Sequence, residues 1–176
     1  MKAWTEAGGE VEQGLCPSAH ATGDSASSPP YSLSSAPSSP QLVADKQAVL
    51  GAMTSGMRQI VDARSADRFH GRVTEPRPGV ESGHIPGSLH LAFPAVLEEG
   101  GDSTRFKGWQ ELRRVFEETG VVAGSEVIFT CGSGVTAAVL ALARSHSGTD
   151  ERLSAVYDGS WSEWGSDSST PKMKDE

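Results

Sequence analysis

One strand-turn-helix unit around Cys131 constrains the fold of this chain more than any other stretch. The apolar run at residues 127–129 leads through a threonine into Cys131, and Gly132, Ser133 and Gly134 follow. Residues 135–144 are mostly good helix formers and predict an α-helix. A strand that enters a glycine-rich turn and then a helix surrounds the turn with backbone N–H groups and the positive end of the helix dipole.

This unit is open to two interpretations. A thiol at the start of such a turn has a lowered pKa and reacts as a thiolate, which predicts a nucleophile in an anion-binding loop. Alternatively, Cys131 is a small buried residue that packs at a tight turn and is chemically inert. Short glycine-rich motifs occur by chance, so the local sequence leaves both interpretations standing.

Composition limits the function classes. The 176 residues suffice for one ordinary domain, and a net charge of -8 without a basic cluster argues against a nucleic-acid-binding surface. The two cysteines are far apart and form no C-x-x-C pair, so we expect no disulfide framework, no metal site and no cofactor.

Membrane and targeting signals are not evident in the sequence. No apolar stretch approaches the roughly 20 residues that span a bilayer, and the first ten residues resemble neither a signal peptide nor a transit peptide. We therefore expect an acidic, intracellular and cytoplasmic protein with no membrane partner. A mitochondrial location stays open if the full-length protein carries a transit peptide.

Strand-like and helix-like segments alternate along the chain. The predicted strands cover residues 58–63, 88–91, 126–130 and 152–157, and the predicted helices cover residues 46–53, 107–118 and 135–145. This alternation predicts an α/β domain with a mainly parallel sheet over residues 41–166. Residues 13–40 are rich in Ser, Pro and Ala and predict an extended linker, and residues 167–176 predict a polar tail. Residues 64–83 look too irregular for a regular element.

Four separate motifs resemble one family. Residues 61–64 with Arg68 and Phe69, residues 83–88 (GHIPGS), residues 131–136 (CGSGVT) and residues 158–164 (DGSWSEW) occur in the order found in the rhodanese superfamily. The loop and the closing motif are similar to those of its branch that acts on 3-mercaptopyruvate. The resemblance implies a rhodanese-like fold and a Cys131 nucleophile that carries sulfur as a persulfide.

The resemblance also assigns roles to further residues. Ser133 would hydrogen-bond the reacting sulfur or relay a proton, and Arg68 and Arg77 would bind the carboxylate and keto oxygen of the donor. The remaining loop residues would contact the substrate and stabilise anionic sulfur: Gly132, Gly134, Val135 and Thr136. Neutral residues at 132 and 133 favour 3-mercaptopyruvate over thiosulfate, which remains an alternative. A thiol such as thioredoxin or glutathione, or cyanide, would accept the sulfur.

The first twelve residues resemble the end of a preceding rhodanese domain, in which Trp4 corresponds to Trp164. We therefore expect the chain to be the C-terminal catalytic half of a two-domain enzyme, while a simple N-terminal tail is the alternative. A half lacking its partner domain could be poorly active. A related phosphatase is disfavoured because the nearest basic residue after Cys131 is Arg144.

Two polar residues outside the loop receive structural roles. His84 is expected to hold a turn by hydrogen bonding rather than act as a base. Asp62 is expected to position an arginine or the loop backbone. A rhodanese module that only binds partners is disfavoured because such modules often lack the cysteine.

Overall fold

The computed structural model describes residues 2–11, 42–99, 105–148 and 153–175. The linker predicted for residues 13–40 lies outside these ranges. No helix among the described residues is both long and apolar enough to cross a membrane.

The centre of the molecule is a five-stranded parallel sheet. Its strands are β1 (Val43–Ala44), β2 (Arg58–Asp62), β3 (Leu89–His90), β4 (Glu126–Thr130) and β5 (Ser154–Tyr157), in the spatial order β1-β5-β4-β2-β3. Because every neighbouring pair is parallel, the carboxyl ends of all five strands lie along one edge, where ligands bind in such sheets. The α/β fold with a mainly parallel sheet is confirmed.

Helices cover both faces of this sheet. The helices of the domain are α2 (Lys46–Ser55), α3 (Ala66–Phe69), α4 (Trp109–Glu118), α5 (Val135–His146) and α6 (Ser160–Trp164), with a 3₁₀ turn at Phe93–Val96. A further short helix, α1 (Lys2–Glu6), lies near the beginning of the chain. The predicted helices α2, α4 and α5 are confirmed, with ends within about two residues of expectation. Asp45 caps α2 as predicted, because its side chain accepts a 2.8 Å hydrogen bond from the Ala48 amide.

The alternation of side chains along β4 divides the interior into two apolar clusters. Val127, Phe129 and Cys131 face a cluster that contains the buried sides of α4 and α5. Ile128 faces the opposite cluster, which contains the buried sides of α2 and α6. β4 is therefore buried on both faces, and Cys131 leaves the sheet from its centre.

The prediction that residues 64–83 hold no regular element is wrong at α3. This short helix places Phe69 in the interior, and the Ser65 carbonyl accepts from the amides of Arg68 and Phe69. Four residues are too few to show a helical period, so tertiary packing of Phe69, rather than local propensity, stabilises the turn.

The C-terminal segment, residues 167–175, packs on the domain. The Trp164 indole donates to the Pro171 carbonyl at 2.8 Å, and Met173 exchanges two backbone hydrogen bonds with His84 at 2.8 and 2.9 Å. This segment, predicted from the sequence to be a polar tail, covers the loop that joins α3 to β3.

Near the beginning of the chain, Trp4 lies 60% exposed and its indole donates to the Glu10 carbonyl at 2.9 Å. The suggested origin of residues 1–12 in a preceding domain stays a prediction.

Candidate active site

The loop between β4 and α5 wraps around the sulfur of Cys131. Cys131 is a free thiol that is only 2% exposed, and the Ser133 amide donates to Sγ at 3.5 Å. Gly134 has φ of +83°, a conformation that glycine adopts without strain, and it turns the chain into α5. The turn therefore brings backbone N–H groups onto the thiol.

Electrostatics in this loop favour the thiolate. Burial alone would raise the pKa of the Cys131 thiol, but hydrogen bonds from the Thr136 hydroxyl and from the amides of Ser133, Ala137 and Thr136 outweigh it. The net direction is a pKa below the ordinary value of 9.0. A lowered pKa supplies more of the nucleophilic form near neutral pH.

A turn at residues 158–162 supports the loop from behind. Ser160 Oγ accepts hydrogen bonds from the amides of Cys131 at 3.2 Å and Gly134 at 3.0 Å, and it donates to the Tyr157 carbonyl at 2.7 Å. The amide of Trp161 also donates to the Cys131 carbonyl at 2.9 Å. These bonds join the end of β5 to the catalytic loop.

Four charged residues form an ion-pair cluster beside the loop. Asp62, at the end of β2, pairs with Arg64 at 2.6 Å, and Glu75 bridges Arg64 at 3.0 Å and Arg68 at 2.5 Å. The Arg64 guanidinium also lies 4.4 Å from the centre of the Trp161 ring. The hydrogen bond from Arg68 to Glu75 raises the pKa of Arg68, so this guanidinium stays charged.

Arg77 reaches the loop through a serine. One Arg77 Nη donates to Ser162 Oγ, and Ser162 Oγ in turn donates to the Gly132 carbonyl. The Ser162 amide donates to the same carbonyl at 3.0 Å. Arg77 itself is exposed, so its remaining N–H groups stay available to a ligand.

The two arginines predicted to bind substrate share one cleft. This cleft, of about 130 Å³, is lined by Arg68, Glu75, Pro76, Arg77, Val80, Gly132, Ser133 and Ser162. Its size suits a small anion beside the catalytic loop. A larger cavity of about 390 Å³ lies at the opposite end of the sheet, beside Gly124 and Arg144. That cavity is remote from the thiol, so the smaller cleft is the candidate active site.

The predicted loop residues occupy different parts of this site. Gly132 and Ser133 line the cleft, Gly134 lies buried behind it, and the Thr136 hydroxyl acts on the sulfur. Val135 is 71% exposed at the start of α5. The Ser133 side chain is also exposed, and the contact it makes to the sulfur is through its amide.

Asp62 and His84 have the supporting positions expected for them. Asp62 pairs with Arg64, and buried His84 contacts the Phe69 carbonyl through Nδ1 at 2.9 Å while its ring stacks on Phe69. Ser160 and Ser162 lie in the motif at residues 158–164, but the sequence analysis assigned no role to either serine or to Glu75. The more distant partners of the two serines lie 26–85 residues away along the chain, and the partners of Glu75 lie in an irregular stretch, so no sequence pattern indicates these contacts.

Together these features define a class of protein. A parallel α/β domain that holds a low-pKa thiol in an amide-lined loop, facing two guanidiniums, is built for group transfer to and from cysteine.

Comparison with known proteins specifies the family. The model of the rhodanese-like domain matches residues 45–167, and the chain belongs to that family.

The relatives include sulfurtransferases of two kinds. The 3-mercaptopyruvate sulfurtransferase of Escherichia coli K12 is 42% identical over 132 residues, which cover 75% of this chain and 45% of the relative. The thiosulfate sulfurtransferase of Gallus gallus is 44% identical over 106 residues, which cover 60% of this chain and 34% of that protein.

Among solved structures, the crystal structure of SseA from Escherichia coli, described as a 3-mercaptopyruvate sulfotransferase, matches with a TM-score of 0.57 at 38% identity. The match covers 69% of this chain and 43% of SseA. The chain thus spans less than half the length of these relatives.

Proposed function

We propose that this chain carries the sulfur-transferring site of a 3-mercaptopyruvate sulfurtransferase. One observation supports the proposal most directly: the cleft that contains Arg68 and Arg77 opens on the loop that lowers the pKa of Cys131. Membership of the rhodanese-like family and the names of its relatives support the same activity.

Charge in the cleft favours a monoanionic donor. The ion-pair cluster holds two carboxylates and two guanidiniums and is neutral, while Arg77 has no ion pair among the described residues. Arg77 can neutralise the single carboxylate of 3-mercaptopyruvate, whereas dianionic thiosulfate would bring a second negative charge towards the Cys131 thiolate. Glu75 occupies Nε and Nη2 of Arg68, so the Nη1 edge is left for the donor.

The first half-reaction moves sulfur onto the enzyme. The Cys131 thiolate attacks the sulfur of 3-mercaptopyruvate, a new S–S bond forms, and the C–S bond breaks. The electron pair of that bond leaves on the pyruvate enolate, which is then protonated at carbon to pyruvate. Loop amides and the Thr136 hydroxyl stabilise the anionic sulfur before and after transfer, as an oxyanion hole does for oxygen.

The second half-reaction returns the thiolate. An acceptor thiol, such as that of thioredoxin or glutathione, attacks the outer sulfur of the persulfide as its thiolate. The S–S bond breaks, Cys131 leaves as thiolate, and the acceptor carries the persulfide. A second thiol then releases hydrogen sulfide and forms a disulfide. Cyanide would take the same sulfur as thiocyanate.

Pyruvate formation from 3-mercaptopyruvate, with a dithiol as acceptor, tests the proposal. We expect the chain to form pyruvate and to gain one sulfur atom on Cys131 by mass spectrometry, and Cys131→Ser to lose both signals. A chain that acquires no sulfur on Cys131 contradicts the proposal. Sulfur loading with slow turnover would mean that the site is correct and that a further domain is required for full activity.

Thiosulfate is the second candidate donor, favoured by the identity to the thiosulfate sulfurtransferase of Gallus gallus. Thiocyanate formation from thiosulfate and cyanide, measured on the same preparation, compares the two donors. A kcat/KM higher for thiosulfate than for 3-mercaptopyruvate would reverse the assignment.

A further inference from the structure

Among the described residues other than glycine, Ser160 is the one that has a positive φ. Its φ is +49°, and the side chain is completely buried between β5 and the catalytic loop. A non-glycine residue in this conformation is held there by its surroundings at a cost in backbone strain. Glycine would adopt this backbone conformation with less strain, so the serine side chain must make contacts that offset the strain.

The hydroxyl of Ser160 occupies the back of the loop. It accepts from the amides of Cys131 and Gly134 and donates to the Tyr157 carbonyl, which uses both its lone pairs and its proton. The two amides that it takes are the first and fourth of the loop. The amides of Ser133, Thr136 and Ala137 act on the sulfur instead.

We propose that Ser160 is a positioning residue for the thiol: its oxygen holds the amides of Cys131 and Gly134, so that the remaining loop amides converge on the sulfur. Without this oxygen, two buried N–H groups have no acceptor, and the loop must turn them elsewhere. Any rotation of those peptides changes the direction of the neighbouring amides.

The other contacts of the turn do not replace this hydroxyl. The amides of Trp161 and Ser162 donate to the carbonyls of Cys131 and Gly132, so they hold the acceptor side of the loop. Ser160 Oγ is the contact that holds the donor side, at Cys131 and Gly134. The Ser160 side chain therefore holds different groups of the loop from those held by the backbone amides of the turn.

Two substitutions separate the hydroxyl from the backbone. Ser160→Ala removes the oxygen and keeps the Cβ at positive φ, whereas Ser160→Gly removes the oxygen and relieves the backbone strain. Ser154→Ala is the matched control, because Ser154 is also a buried serine whose oxygen accepts a hydrogen bond, 3.2 Å from Arg144, at the beginning of β5.

The readout is the pH dependence of alkylation by iodoacetamide. The chain has two cysteines, so a Cys16→Ser background leaves Cys131 as the reactive thiol. The midpoint is the pH at which the alkylation rate is half-maximal. We expect it to rise by about one unit in both Ser160 variants, which is roughly a tenfold loss of thiolate at pH values below the midpoint. Ser154→Ala should leave the midpoint unchanged.

An unchanged midpoint in either folded Ser160 variant overturns the proposal. A shift in Ser160→Ala alone would assign the effect to backbone strain, which also overturns it. If neither variant folds, amide hydrogen exchange in the unaltered chain decides, since the proposal requires slow exchange at both Cys131 and Gly134 and fails if either exchanges rapidly.

The inference rests on the proposed function only in taking Cys131 as the reacting thiol. Alkylation reports on that thiol whether or not the chain turns over 3-mercaptopyruvate, so the two proposals fail separately.

Discussion

The guanidinium of Arg68 lies directly over the α-carbon of Gly132. A Cβ at position 132 would stand 3.0 Å from Nη2, 3.4 Å from Nη1 and 3.6 Å from Cζ of Arg68. The absence of a side chain on this loop residue therefore lets the Arg68 guanidinium, proposed to bind the donor, lie against the loop. Charge and shape at position 132 are linked, because a larger residue would displace Arg68 as well as change the local charge.

Gly132→Ala should raise the KM for 3-mercaptopyruvate by roughly tenfold with a smaller change in kcat, because Arg68 must retreat from the donor. Steady-state pyruvate formation measures this. Gly51→Ala is the control, since a Cβ there meets nothing within 4 Å and Gly51 lies inside α2. An unchanged KM in Gly132→Ala would mean that Arg68 does not bind the donor.

Glu75→Gln should weaken both stability and substrate binding. Glu75 is almost completely buried and bridges two guanidiniums, so its neutralisation should lower the free energy of unfolding by about 1–3 kcal/mol and raise the KM. Chemical denaturation and kinetics on one preparation measure the two effects.

Glu111→Gln serves as its control. Glu111 pairs with Lys107 at 3.0 Å on the surface of α4, and loss of an exposed pair of this kind costs about 0.3 kcal/mol. Equal losses of stability in the two variants would contradict the assignment of Glu75 to a buried bridge.

The alkylation rate of Cys131 should depend on the Thr136 hydroxyl. The folded thiol has a pKa below 9.0, so its reactivity should rise with pH at a lower midpoint than in the urea-unfolded chain. Thr136→Val removes a hydrogen bond that favours the thiolate, which should move the folded midpoint upward. Thr54→Val, on the exposed end of α2, should not move it. A midpoint that coincides with that of the unfolded chain would contradict the loop assignment.

Gly83→Ala should detach the C-terminal segment. Gly83 has φ of +123°, and a Cβ there would collide with the Met173 carbonyl oxygen. We expect a lower Tm and faster proteolysis after residue 166.

Gly87→Ala is the comparison variant, because Gly87 also has a positive φ, of +76°, and nothing lies within 4 Å of its Cβ position. It should cost only about 1 kcal/mol of conformational strain. Similar losses in Gly83→Ala and Gly87→Ala would show that the contact with Met173 contributes nothing.

The central part of the fold was predictable because its signals are local. β2, β4 and α5 carry clear apolar runs or helical composition, and Asp45 precedes α2 as a capping residue should. β1 is two residues long and α3 four, so both depend on tertiary contacts that no sequence window contains. Arg68 and Arg77, which line the cleft, were predicted from the family motifs and not from hydrophobic periodicity.

The supporting side chains of the site were not predictable in the same way. Glu75 lies in an irregular stretch, where a glutamate usually faces solvent, and only the fold reveals that it is buried between Arg64 and Arg68. The task of Ser160 depends on acceptor geometry across 29 and 26 residues of chain. Such contacts follow from topology rather than from composition.

The turn at residues 158–162, which supports the loop of Cys131, is synthesised after that loop. Cys131 and its loop leave the ribosome before Ser160 does, so the growing chain at first lacks the hydroxyl that accepts from the amides of Cys131 and Gly134. That support is in place only after β5 has paired with β4 and α6 has docked. On the proposal for Ser160, we expect Cys131 to reach its full reactivity late, when the domain is nearly complete.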